Sequence, residues 1–176
     1  MRKRALVGGV VVIGLAALHM SCLCGPCEIA TTNKELALAA FEAVAAGNMD
    51  ALDNLIAVDY VRHCEATPDV TVTNLEEFKQ YLLSDRATFP DPELQVVHLI
   101  AEDNLVAFWA SYAGVQEGPM GPFPATGNRM EIDFAGIHRI EDGKIAETWV
   151  TWDNLTALTQ LGLWPPNELE ELEIVE

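Results

Sequence analysis

The chain has 176 residues, with 27 Asp and Glu against 10 Lys and Arg, so its formal charge is −17. Such an acidic body repels phosphate, which excludes nucleic-acid binding and charge-driven docking onto anionic lipid. Half of the residues are apolar, which excludes global disorder and suffices for one domain of ordinary size.

The first 21 residues are typical of an export signal. Residues 2–4 are basic, and residues 5–18 are apolar and uncharged, a stretch shorter than the roughly 20 residues of a membrane span. Ser21 then precedes Cys22, which resembles the lipobox of bacterial lipoproteins and implies lipidation of the Cys22 thiol. We therefore expect an exported, membrane-anchored lipoprotein of the cell envelope. Plain secretion, a periplasmic location and an uncleaved anchor are the alternatives.

Residues 22–31 are predicted to form a tether in front of the domain. Cys24 and Cys27 belong to the sequence Cys-Gly-Pro-Cys, the redox tetrapeptide of thioredoxins. No strand precedes it and no βαβ pattern surrounds it, so a local disulfide is favoured over a redox function. Cys64 is expected to be a buried apolar filler.

Three helices are predicted in the first half of the domain. Capping boxes begin two of them, Thr32 with Glu35 and Asn74 with Glu77. The expected helices cover residues 34–46, 48–56 and 75–88. A short extended segment over residues 60–63 lies between the second and third helices.

From residue 94 the spacing of apolar residues changes from about 3.6 to 2, which predicts strands. The expected strands cover residues 94–101, 105–114, 129–140 and 144–153. Asp142 and Gly143 form a hairpin signal between the last two. A loop rich in Gly and Pro fills residues 116–127, and a short helix covers residues 155–161. Residues 165–176 form an acidic tail that we expect to be solvated.

Helices followed by antiparallel strands predict an α+β domain over residues 32–164. Its expected form is a cone-shaped, curved antiparallel sheet packed on three N-terminal helices. Such a sheet encloses an apolar hollow, which suits a small hydrophobic molecule.

Strand alternation predicts which side chains face this hollow. On the strand over residues 129–140 the inward set is apolar apart from His138, with Phe134 among it. On the return strand, a two-residue turn would place Glu147 inside, whereas a glycine bulge at Gly143 would place Thr148, Val150 and Trp152 inside. The second arrangement is favoured because an unpartnered carboxylate is costly in an apolar pocket.

His63 and His138 are the candidate catalytic residues. We expect one at the helix-side mouth and one on the inner sheet face, where they could act as general base and hydrogen-bond donor. A satisfied structural histidine is the alternative for each of them. The expected pocket walls are Tyr60, Trp109, Tyr112, Phe134, Thr148 and Trp152. The spacings of metal ligands, phosphate loops and nucleophile elbows are absent from the sequence, so no metal and no cofactor are expected.

Residues 136–149, which read Gly-Ile-His-Arg-Ile-Glu-Asp-Gly-Lys-Ile-Ala-Glu-Thr-Trp, carry a family resemblance. Together with the segments at residues 60–63, 89–91 and 121–127 they resemble the SnoaL-like polyketide cyclases. This group, also labelled ester cyclases, lies within the nuclear-transport-factor-two-like superfamily. The resemblance covers residues 34–163.

This resemblance implies a cystatin-like α+β barrel with an apolar pocket, often dimeric through its outer sheet face. It also implies a cofactor-free intramolecular aldol reaction in which a pocket aspartate removes a proton from carbon. That aspartate falls at Gly136, which cannot take a proton, and a family phenylalanine falls at His138.

Two hypotheses follow. In the first, His63 is the base and His138 polarises a hydrophobic carbonyl compound or relays its proton. In the second, the domain is a non-catalytic ligand-binding or interaction module of the cell envelope.

Overall fold

Four helices and five strands make up residues 25–165, the part of the chain that the computed structural model describes. The helices are α1 (Pro26–Ala46), α2 (Leu52–Leu55), α3 (Leu75–Thr88) and α4 (Asn154–Gln160). The strands are β1 (Ile56–Cys64), β2 (Glu93–Glu102), β3 (Leu105–Val115), β4 (Arg129–Glu141) and β5 (Lys144–Trp152). Within these residues no helix combines the length and the apolar character needed to cross a bilayer.

The strands form one curved sheet in the order β1-β5-β4-β3-β2. The α+β prediction is therefore confirmed. One feature differs: β1 is nine residues long and joins the edge of β5 in parallel, where only a short extended segment was predicted. The other three pairings are antiparallel. Helix α1 packs across β2, β3 and β5, α3 packs on β1, and α4 packs on β4.

Helix α1 begins at Pro26, within the segment predicted as a tether. Proline suits a first helical position because its missing N–H would have no partner there. The Thr32 hydroxyl donates to the carbonyl of Glu28 inside the helix, so the predicted cap at Thr32 and the predicted start at residue 34 are wrong. The helix ends at Gly47, whose φ of 67° is left-handed, and Arg86 of α3 donates to the carbonyls of Val44 and Ala45.

Helix α3 begins where the sequence predicted. The side chain of Asn74 accepts a hydrogen bond from the backbone N–H of Glu77 at 2.8 Å, and the Glu77 carboxylate accepts one from the N–H of Thr73 at 2.7 Å. These bonds satisfy N–H groups that the first helical turn leaves without partners. The cap fixes the start of the helix whose later turns face the sheet.

The β4–β5 hairpin has a two-residue turn followed by a bulge. Asp142 and Gly143 have φ of 49° and 73°, and Glu141 pairs with Lys144 across the turn. Ile140 pairs with Ile145, but Arg139 pairs with Glu147, so Ala146 is the extra residue. The bulge predicted at Gly143 thus lies at Ala146. Beyond it the inward set is Thr148, Val150 and Trp152, as favoured from the sequence.

Two apolar clusters fill the two ends of the space between sheet and helices. One joins α1, α2 and α3 to β1 and the start of β5, with Leu52, Val106 and Ile145 almost fully buried. The other lies under α4 and includes Met130 and Leu161. The two clusters leave a cavity between them.

Candidate active site

The cavity lies on the concave face of the sheet and has a volume of about 310 Å³, at the lower end of the range for ligand pockets. Most of its wall is apolar. The side chains that bring polar atoms to it are Tyr60, Arg62, Thr67, Tyr81, Asp85, Tyr112, His138, Thr148, Trp152 and Asn154.

His138 lies on the inner face of β4, opposite Thr148 of β5. Its Nδ1 is 2.8 Å from the Thr148 hydroxyl oxygen. Its Nε2 is shielded from solvent and has no hydrogen-bond partner among residues 25–165. The ring packs against Phe108 at 4.7 Å and Phe41 at 5.6 Å between ring centroids. Burial lowers the pKa of His138 to about 4, so the imidazole is neutral at neutral pH.

Tyr60 of β1 extends the His138–Thr148 pair. The tyrosine is buried, and its hydroxyl lies near that of Thr148, whose effect on the Tyr60 pKa opposes that of burial. Burial raises the pKa of Tyr60 to about 12, so the phenol keeps its proton. An imidazole and two hydroxyls therefore form one connected polar group that holds no net charge at neutral pH.

Arg62 is the next inward residue of β1, in register with Thr148, and its side chain is only 7% exposed. Its guanidinium donates to the hydroxyls of Thr67 at 3.3 Å and Tyr81 at 3.4 Å. It also lies 4.5 Å from the ring centroid of Tyr81 and 5.8 Å from that of Trp152. Arg62 thus brings a full positive charge into the cavity wall.

Asp85 is the one carboxylate among the lining residues. It lies one turn after Tyr81 on α3, so both face the cavity from the same side of the helix. The Tyr112 hydroxyl donates to its Oδ2 at 2.7 Å. Burial raises the pKa of Asp85, and the hydrogen bond from Tyr112 and the charges of Arg86 and Arg62 partly oppose this.

Sequence analysis missed both Asp85 and Arg62 as cavity residues. The apolar positions of α3 recur at helical spacing through Phe78, Tyr81 and Leu82, and the same spacing places Asp85 on that face. Alternation along β1 could have placed Arg62 inward beside Tyr60.

His63 lies on the opposite face of the sheet from His138. Inward Tyr60 and Arg62 on β1 leave His63 exposed, where its Nε2 is 2.6 Å from Oε1 of Glu147. Its ring stacks on Trp149 at 5.2 Å. The expectation that the two histidines meet in one cavity is therefore wrong, because strand alternation separates them.

The other predicted residues are divided between the two faces. Tyr60, Tyr112, Phe134, Thr148 and Trp152 line the cavity. Trp109 does not: it is 46% exposed on the outer face of β3, which corrects its assignment as a wall residue.

The cysteines add little to this site. Cys22 and Cys24 lie outside the described residues, and the side chain of Cys27 is not described. Cys64 is a free thiol at the end of β1 and is partly rather than fully buried. In residues 25–165 no group of three His, Cys, Asp or Glu side chains is placed to hold a metal ion.

Gly136, the position at which the family resemblance implies an aspartate, has no room for a side chain. A Cβ built on Gly136 would lie 2.5 Å from the Phe108 ring and against the carbonyl oxygen of Trp149. Phe108 is the cross-strand partner of Gly136, so its ring fills the volume over the glycine.

The sequence model of the SnoaL-like polyketide cyclase family matches residues 34–161. The chain belongs to this family. Searching the curated proteins gave no match. The resemblance seen in the sequence is thus confirmed, and the fold is that of a SnoaL-like domain.

Solved structures agree with this assignment. TsrD from Streptomyces laurentii is 26% identical, with a TM-score of 0.68 over 76% of this chain and 96% of that one. IdmH from Streptomyces antibioticus, a proposed polyketide cyclase, is 29% identical, with a TM-score of 0.66 over 74% and 98%. AclR from Streptomyces galilaeus, a proposed hydroxylase, is 24% identical, with a TM-score of 0.67 over 77% and 99%, and supports the fold alone.

Proposed function

We propose that this SnoaL-like domain catalyses cofactor-free proton transfer of the cyclase type on a small hydrophobic carbonyl compound. The observation that carries the proposal is Asp85, a carboxylate in the wall of an otherwise largely apolar cavity. Burial raises its pKa and makes it a stronger base than an exposed aspartate, while Tyr112 favours the ionised form.

Asp85 would remove a proton from the carbon next to the carbonyl group, leaving the negative charge on the carbonyl oxygen. Tyr81, one turn earlier on α3, is suited to donate a hydrogen bond to that oxygen. Its hydroxyl accepts from Arg62 and keeps its own proton, since burial raises its pKa to about 12. Returning the proton from Asp85 to another atom of the substrate would complete an isomerisation or an aldol closure.

His138 has a positioning role in this scheme. Its Nε2 is shielded between aromatic rings, whereas its Nδ1 pairs with the Thr148 hydroxyl that Tyr60 also contacts. The imidazole would order these hydroxyls along the cavity wall. His63 takes no part, because it lies on the outer face.

The test is hydrogen–deuterium exchange at the acidic carbon of 1-phenylbutane-1,3-dione, followed by NMR. Wild type should accelerate exchange, and Asp85→Asn should lower the enzyme-dependent rate by at least about 100-fold. Asp91→Asn, which changes an exposed carboxylate just after α3, is the matched control and should retain the wild-type rate. Background exchange with wild type, or equal rates for wild type and Asp85→Asn, would contradict the proposal.

A non-catalytic binding domain is the second candidate. The crowded glycine at position 136 favours it, because the acid/base group that the family resemblance implies has no place there. Tight binding of the same diketone without any accelerated exchange would support this candidate instead.

Export and lipidation at Cys22 remain proposals from the sequence, since that segment lies outside the described residues. Metabolic labelling with palmitate should mark the wild-type chain in the membrane fraction. Cys22→Ser should lose the label, and equal labelling of both chains would contradict a lipid on this thiol.

We also propose a homodimer through the outer sheet face. Trp109, Ile137 and Trp149 are each at least 40% exposed on this face, which is costly for a monomer in water. Light scattering should give a dimer mass for wild type and a monomer mass for Ile137→Lys. A monomeric wild type would contradict this assembly.

A further inference from the structure

Arg62 is a buried cation without a carboxylate partner among the described residues. Five ion pairs occur in residues 25–165, and none of them includes Arg62. Its side-chain partners are the neutral hydroxyls of Thr67 and Tyr81, both at more than 3.2 Å. Removing a guanidinium from water is costly unless a partner of opposite charge replaces the lost hydration.

The other arginines described are better matched. Arg129 pairs with Glu93 at 3.0 Å, and Arg139 pairs with Glu147 at 2.7 Å and with Glu141. Arg86 donates to the carbonyls at the end of α1. The arginine facing the cavity is therefore the one whose acceptors are weakest, although it is also the most buried.

Asp85 does not neutralise Arg62 directly. The charge of Arg62 opposes the rise in the pKa of Asp85, but no ion pair joins the two side chains, and the Asp85 carboxylate is held by Tyr112. A guanidinium has five N–H donors, and the contacts to Thr67 and Tyr81 account for two of them. The remaining N–H groups can donate hydrogen bonds to an anion in the cavity.

We propose that Arg62 binds the carboxylate of an amphipathic ligand whose flat apolar body occupies the rest of the cavity. The planar fork of a guanidinium matches a carboxylate through two parallel hydrogen bonds. The apolar wall, with Phe134 and Trp152 among its rings, suits an aromatic body. The inference rests on the proposed function in one respect only: the cavity is the ligand site.

The overall charge of the chain sharpens this inference. A protein with a formal charge of −17 repels small anions at its surface. A preference for an anionic over a neutral ligand must then come from a local cation, and Arg62 is the arginine in the cavity wall.

The experiment compares 2-naphthoate with 2-naphthamide, an uncharged compound of nearly the same shape, by isothermal titration calorimetry at pH 7. Wild type should bind the carboxylate at least about tenfold more tightly, the gain typical of a charge-assisted bidentate contact. Arg62→Gln should reduce this ratio to within twofold while leaving the affinity for the amide unchanged. Arg129→Gln, which removes an exposed positive charge, should keep the wild-type ratio.

Wild-type protein alone also tests the inference if Arg62→Gln does not fold. The preference for 2-naphthoate should persist when NaCl is raised from 0.05 to 0.5 M, because a buried pair is poorly screened. A preference that disappears with salt would indicate surface adsorption and overturn the inference. Equal affinities for the two compounds, an undiminished ratio in Arg62→Gln, or no binding of either compound would overturn it too.

The proton-transfer proposal is tested separately. The diketone used for exchange carries no carboxylate, so its turnover by Asp85 does not depend on an anion at Arg62. If wild type accelerates exchange of the diketone but shows no preference for 2-naphthoate, the proposed function is supported and only the carboxylate site at Arg62 is contradicted. If wild type prefers 2-naphthoate but does not accelerate exchange, the domain binds carboxylate ligands without catalysing proton transfer.

Discussion

The Nδ1 atom of His138 lies 2.8 Å from the hydroxyl oxygen of Thr148, its cross-strand partner, while Nε2 has no partner among the described residues. One half of the ring is thus satisfied and the other half packs against the rings of Phe41 and Phe108. Because only one ring nitrogen has a partner, His138 affects both the unfolding free energy of the domain and its dependence on pH.

Replacing His138 by phenylalanine, the residue that the family resemblance implies there, should be neutral or stabilising. An apolar ring suits the aromatic surroundings and removes a buried unpaired nitrogen. Thr148→Val should instead cost about 1–3 kcal/mol, because it leaves the imidazole without a partner on either side. Thermal and urea unfolding measure both effects. A larger loss for His138→Phe than for Thr148→Val would show that the imidazole is itself stabilising.

Wild type should lose stability as the pH falls from 6.5 to 4. The pKa of His138 is about 4 in the folded protein and close to 6.5 in the unfolded chain, so the unfolded chain binds more protons in this window. The contribution of the neutral His138 side chain to stability is fully present above pH 6.5. About 3 kcal/mol of it is lost when the pH has fallen to 4. The Asp and Glu side chains titrate in wild type and in His138→Phe alike. The difference in unfolding free energy between the two proteins therefore reports the loss that is due to His138 alone. A flat difference over the window would contradict the burial of a neutral imidazole.

Gly136→Ala should destabilise the domain by about 1–3 kcal/mol, because the added methyl group meets the Phe108 ring and the Trp149 carbonyl. Combining it with Phe108→Ala should not restore the loss, since the backbone carbonyl remains in place. Gly25→Ala should cost less, about 0.5–1 kcal/mol, because its methyl group lies in open space and only the poorer N-cap of α1 is felt. Chemical unfolding measures all three, and a stable Gly136→Ala would show that β4 and β5 can separate here.

His63→Gln should leave ligand affinity and diketone exchange unchanged. The side chain lies on the outer face with Glu147 and Trp149, away from the cavity. Its effect on the stability of the monomeric chain should stay below about 1 kcal/mol, as for other exposed side chains. Exchange kinetics and thermal unfolding measure these effects. A clear loss of exchange in His63→Gln would show that His63 takes part in catalysis after all.

Sequence reasoning predicted the α+β class, the strands β2 to β5 and the inward side of β4, since these depend on local periodicity. The inward row through Met130, Ile132, Phe134 and His138 follows directly from alternation in a strand with one buried face. The Asn74 cap was predictable because its signal lies within four residues.

The site was less predictable, because it depends on pairings between distant segments. Nothing local shows that β1 lies parallel to β5, which is what aligns Arg62 with Thr148 and sends His63 outward. The Asp85–Tyr112 hydrogen bond likewise joins α3 to a strand 27 residues later. A carboxylate on an amphipathic helix is normally exposed, so the charge of Asp85 predicts an exposed position even though its helical spacing places it on the cavity side.

The additional residue in β5 has one more consequence. A β5 strand of the same length without the bulge would pair His138 with Glu147, so that Glu147 and Trp149 would face the cavity and Thr148 would face the outer side. Deleting Ala146 would instead make the ladder regular and leave Thr148 inward, because Arg139 would still pair with Glu147. The way in which the sheet accommodates one alanine therefore decides whether hydroxyl and apolar groups, or a carboxylate and an indole, line that wall.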